Sequence, residues 1–139
     1  MTNPQAMPDE RPAAIALRCS GVQHVALCSG DLSRSREFYV TALGLPLLME
    51  STGQFVVLAG QTSVGVHGPV SSATPLDVGQ GGLLHLALGC DSDAELTRIA
   101  EELTARGVES TGVCIDELFD RRYVRFRDPD GIHWEVCVA

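Results

Sequence analysis

The chain has 139 residues, enough for one compact domain with a sizeable core and too few to favour two independent cores. With 45% hydrophobic and 20% charged residues it has the composition of a folded globular protein, and its formal net charge of −8 opposes broad contact with nucleic-acid phosphates or anionic membranes. All ten basic residues are Arg, which excludes Schiff-base lysine chemistry and a phosphate-loop lysine.

The five cysteines are odd in number, widely spaced and never in a C-x-x-C pair, so they fit neither a disulfide framework nor a zinc ribbon and read as cytoplasmic. The apolar run 13–17 is too short to span a bilayer, and Asp9 and Glu10 spoil the basic region of a secretory signal. Residues 1–20 carry Pro4, Pro8 and Pro12 without a sustained period and read as a flexible tail. A strand is predicted over 21–28. Asp31 then caps a helix with Phe38, Tyr39, Ala42 and Leu43 on one side, ending at Gly44. Runs 47–50, 54–59 and 62–67, separated by Gly53 and Gly60, predict an antiparallel meander. The first module, 21–69, therefore reads βαβββ.

Residues 70–81 form a Ser-, Gly- and Pro-rich linker, whose Gly79-Gln80-Gly81-Gly82 has no following helix that would make it a phosphate cradle. The second module, 82–139, repeats the order. It has a strand over 83–89, a helix opened by the capping box Ser92-Asp93-Ala94-Glu95 with Leu96, Ile99, Ala100 and Leu103 in phase, and strands over 113–115, 122–127 and 132–138. Asp128-Pro129-Asp130-Gly131 is the turn between the last two. The fold class is α+β, with both modules in a single domain, 21–139.

The halves also match in letters. His24-Val25-Ala26-Leu27 leads to Asp31, and His85-Leu86-Ala87-Leu88 leads to Asp91 and Ser92, the mark of an internal duplication. Two histidines thus occupy equivalent positions, placed to face a shared cavity. Strand alternation puts His24 on the face opposite Val25 and Leu27, and Glu135 on the face opposite Trp134, Val136 and Val138. A mid-strand carboxylate in an apolar run needs a partner. His24, His85 and Glu135 make a 2-His-1-carboxylate set suited to Fe2+, Mn2+, Zn2+ or Ni2+ with positions open to a substrate. Arg125 shares a face with Tyr123 and Arg127, and two readings of it stand: a guanidinium anchor for an anionic substrate group, or a solvated strand end. His133 and Cys137 share the face of Glu135 in supporting or packing roles.

These motifs, together with Phe38-Tyr39 before Leu43-Gly44-Leu45 and Phe126-Arg127-Asp128-Pro129-Asp130-Gly131 leading to Glu135, resemble the vicinal oxygen chelate superfamily of glyoxalases, bleomycin-resistance proteins and extradiol dioxygenases. The resemblance covers 21–138. It implies paired βαβββ modules curled into a mixed-sheet cup with the helices outside, and ligands from the first and fourth strands of each module, here His24, His85 and Glu135. The remaining ligand position falls on Gly65, which departs from glyoxalase I, with His67 two residues along as a substitute if the register shifts. Arg125 and Ala26 stand where related dioxygenases and fosfomycin-resistance enzymes place Tyr and Thr.

The implied protein is a metal-dependent lyase, transferase or dioxygenase acting on a small molecule through vicinal oxygens, with Glu135, Arg125 and Tyr123 as catalytic candidates. The rivals are a metal-free drug- or metabolite-binding dimer of the bleomycin-resistance type and an inactive accessory dimer. A homodimer is expected, because half-open sheets must hide their edges and the linker is long enough to reach either neighbour.

Overall fold

A computed structural model describes residues 13–71 and 79–139. Residues 13–20 are exposed and without regular structure; the rest of the expected tail, and linker residues 72–78, lie outside the described residues. Strands β1 (His24–Cys28), β2 (Leu47–Ser51), β3 (Gln54–Ala59) and β4 (Thr62–His67) form one sheet in the order β1-β4-β3-β2. Strands β5 (Leu86–Cys90), β6 (Cys114–Asp116), β7 (Arg121–Arg127) and β8 (His133–Val138) form a second sheet in the matching order β5-β8-β7-β6. In each, the first strand runs parallel to the fourth and the other pairings are antiparallel. The fold is the expected pair of βαβββ modules. Among the described residues no helix is long and apolar enough to cross a membrane.

Helix α1 (Leu32–Arg36) starts where Asp31 accepts from the Arg34 amide at 3.0 Å, then passes into a π-helical segment (Glu37–Ala42) closed by Leu43 N–H donating to the Phe38 carbonyl at 2.9 Å. The wider turn lets two adjacent rings, Phe38 and Tyr39, both point inward. Helix α2 (Asp93–Ala105) is capped by Ser92, which accepts from the Glu95 amide at 3.1 Å, while the Glu95 carboxylate turns outward to Arg98.

The apolar faces of both sheets enter one core. Leu27, Phe55, Val57, Val64 and Val66 come from the first sheet, Val124, Phe126, Trp134 and Val136 from the second, and Leu96 and Leu103 from α2. Tyr39 bridges the two modules, its ring 6.3 Å from Phe55 and 6.1 Å from Trp134. Its hydroxyl donates to Asp128 at 2.6 Å and accepts from the Trp134 indole at 2.9 Å. The turn after β7 therefore clasps α1 as well as joining two strands: Asp130 accepts from Gly30 N–H at 2.9 Å and from the Ser35 hydroxyl at 3.1 Å. With the apolar faces spent on this core, the opposite face of each sheet is left open. It carries His24, Ala26 and Cys28 in the first module and Ala87 and Gly89 in the second, of which all five are exposed.

Candidate metal and substrate site

Strand β8 brings Glu135 to the middle of the open face of the second sheet, where only 12% of its side chain is accessible. Its register neighbours are Ala87 on β5 and Arg125 on β7. One Glu135 oxygen, Oε2, accepts from the Arg125 guanidinium at 2.8 Å and stands 3.6 Å from His85 Nε2. His85 lies one residue before β5, because the ladder with β8 opens at Leu86 and Trp134. Arg125 also lies over the Tyr123 ring at 5.4 Å. It is a guanidinium pinned to Glu135, 32% exposed. The pairing follows from Arg127 opposite His133, two steps along each strand to 125 and 135; counted from the turn at 128–131 alone, 125 would fall opposite 134, so this contact was not legible in the sequence.

His24 stands on β1 of the other module, exposed, with Nδ1 against the Gln23 side-chain oxygen. Among the described residues of one chain, no three His, Cys, Asp or Glu side chains come together to hold an ion. His85 and Glu135 converge within the chain, and His24 does not join them. Ser63 is the register partner of His24, and Gln54 and His67 pair across β3 and β4. Cys137 is buried and receives the Arg121 guanidinium at 3.9 Å. His133 is held below the ordinary histidine value, first by burial and then by the charges of Arg127, Arg125 and His85.

The residues of the second module fit a divalent ion. Two atoms each about 2.1 Å from a shared ion stand about 3.0 to 3.6 Å apart at angles of about 90° to 120°, the range in which His85 Nε2 and Glu135 Oε2 lie. His85 Nδ1, which is not the nitrogen that faces Glu135, and Arg125 Nε are buried without partners among the described residues. Imidazole with carboxylate is a donor set for the borderline divalent metals.

The sequence profile of the glyoxalase/bleomycin resistance protein/dioxygenase superfamily matches residues 21–136. The chain belongs to that superfamily. Among relatives of this superfamily member, an uncharacterized protein, YwkD, of Bacillus subtilis (strain 168) is 27% identical over 125 residues, covering 83% of this chain and 94% of its own. A glyoxylase/bleomycin resistance protein/dioxygenase domain from Frankia sp. EAN1pec is 26% identical, with a TM-score of 0.74 over 88% of this chain and 99% of that one. A lactoylglutathione lyase from Agrobacterium tumefaciens is 21% identical with a TM-score of 0.70 over 87% of this chain and 95% of that one, a likeness of fold alone.

Proposed function

We propose that the protein is a metal-dependent enzyme acting on a small molecule with vicinal oxygens, and that its site is completed across a homodimer. The observation that carries this reading is the convergence of His85 and Glu135 on an open sheet face, with His24 held on the equivalent strand of the other module. A partner chain that lays its first sheet over this second sheet supplies His24. Exposed apolar side chains, among them Val22, Leu48, Met49, Ile115 and Phe119, offer the surface for such pairing. When bound, a divalent ion supplies Lewis-acid polarisation of the substrate oxygens, or oxygen activation if it is Fe(II).

The chain's own residues bind and orient. Arg121, Tyr123, Arg125 and Arg127 alternate onto the same face of β7, and in a chain of net charge −8 this row favours a substrate with an anionic oxygen. Arg125 holds Glu135 Oε2, the oxygen that also faces His85, and so fixes the orientation of the carboxylate. Tyr123, beneath the guanidinium, limits its swing.

A second reading, the metal-free binding dimer, is favoured by one observation: Arg125 already neutralises Glu135. Against it, five of the seven aromatic residues are spent in the core, leaving Tyr123 and Phe119 for a stacking groove. Elemental analysis of protein purified without added metal separates the two, followed by a panel of catechols, 2-oxoaldehyde thiol adducts and epoxides. The enzyme reading expects stoichiometric metal, lost in His24→Ala, His85→Ala and Glu135→Ala, and tighter metal binding in Arg125→Ala, where the competing cation is gone. Metal-free protein with saturable drug binding, unchanged in Glu135→Ala, selects the second reading.

A further inference from the structure

We infer that Arg121 anchors a second anionic group of the substrate, a carboxylate on a short apolar arm whose other end bears the vicinal oxygens; the inference rests on the metal-dependent reading proposed above. Arg36, Arg98, Arg106, Arg122 and Arg125 each have a carboxylate partner. Arg121 has none among the described residues. Asp93 and Asp120 line the same cavity as Arg121, but Asp93 faces Arg122 at 3.9 Å and neither is within ion-pair distance of Arg121. Asp116, the register partner of Arg121, is spent on the turn between β6 and β7: its Oδ1 accepts from the Leu118 amide at 3.0 Å and from the Phe119 amide at 3.4 Å. That turn, reversed at Asp120 with a positive φ of 48°, folds Phe119 back until its ring lies 5.4 Å from the Arg121 guanidinium. A guanidinium held against an aromatic face without a counter-ion, in a chain of net charge −8, is a site for an anion.

The position of this cation sets the length and character of the arm. Arg121 Nη1 stands 3.9 Å from Cys137 Sγ, which places the guanidinium on the open face of the second sheet. Cys137 is two residues beyond Glu135 on the same face of β8, about 7 Å away at a strand rise of about 3.3 Å per residue. Between the two charged positions runs an uncharged row, Cys114, Tyr123 and Cys137, paired in register. Arg125 against Tyr123 and Arg121 against Phe119, each at 5.4 Å, bracket that row, so the middle of the ligand meets no charge. At the rim a cavity of about 440 Å3, lined by Ile115, Phe119, Arg121 and Val138 among others, leaves room for its far end. Glu135 and Arg121 belong to the same module, so this spacing does not depend on a partner chain. An extended six-carbon 2-oxo diacid spans about 7 Å between its end oxygens.

The test is calorimetric titration of the Co2+-loaded full chain with 2-oxoadipate and with 2-oxohexanoate, a readout independent of turnover. The two acids share the 2-oxo acid head and the chain length and differ in the terminal carboxylate. Wild type, Arg121→Gln, Phe119→Leu and the control Arg106→Gln, which makes the same change of charge on the outer helix, are compared, each checked for folding by circular dichroism. Wild type and Arg106→Gln are expected to bind the diacid at least about tenfold more tightly than the monoacid, although the net charge of the chain opposes the second carboxylate. Arg121→Gln is expected to remove that preference while leaving monoacid affinity unchanged, and Phe119→Leu to reduce it. Equal affinity for the two acids in wild type, or a preference that survives Arg121→Gln, overturns the inference, while Co2+-dependent binding of the monoacid keeps the metal-dependent reading. If neither acid binds in a way that requires Co2+, that reading fails and the inference falls with it.

Discussion

Tyr39 and Asp128, 89 positions apart in the chain, meet at 2.6 Å in the buried seam between the modules. Burial pushes the Asp128 carboxyl above the usual carboxylate range, against the lowering pull of the Tyr39 hydroxyl and the Ile132 amide. A folded value above the unfolded one means that this group's contribution to stability is full below about pH 4 and is lost as pH rises through the folded value. Asp128→Asn does not titrate. Urea midpoints across about pH 4 to 7 should therefore show wild type losing stability relative to Asp128→Asn as pH rises; the opposite slope would mean that hydrogen bonds to the carboxylate outweigh its burial. Asp128→Ala, which strands the Tyr39 hydroxyl and two backbone amides, should cost about 3 kcal/mol near pH 4 and less as pH rises. This clasp was not legible in the sequence, where Asp128-Pro129-Asp130-Gly131 shows only its turn chemistry and nothing marks a partner so far away. The pinning of Arg125 to Glu135 is of the same kind, since it follows from a register that the turn at 128–131 alone does not set.

At the scale of elements, strands β3 and β4 were legible to the residue, because period-two alternation is bounded there by Gly53 and by Gly60, the latter with a positive φ of 61°. The strand expected over 83–89 begins at Leu86, since the ladder with β8 has no rung before Trp134; this leaves His85 just outside the strand and free to turn toward Glu135. The π-helical segment had no signature in a 3.6-residue period. The capping box is half made: Ser92 caps, but Glu95 pairs with Arg98 at 2.5 Å and does not reach back. Ser92→Ala should therefore cost about 1 kcal/mol in thermal or urea unfolding, and Glu95→Gln should cost clearly less. Equal losses in the two variants would mean that the carboxylate returns to the cap in solution.

At the scale of the whole molecule, the repeat seen in His24-Val25-Ala26-Leu27 and His85-Leu86-Ala87-Leu88 became two sheets of identical strand order that share one core and turn their histidine faces away from it. Such a chain holds two half-sites, and a two-fold dimer joins them in pairs. The central claim is that one metal takes His24 from one chain and His85 with Glu135 from its partner. Its most direct test is metal stoichiometry after subunit exchange between His24→Ala and Glu135→Ala chains, each metal-poor alone. The heterodimer then contains one intact site and one lacking both residues, so about one metal per heterodimer should return. A monomer by light scattering at micromolar concentration, or a verified heterodimer that regains no metal, would contradict it.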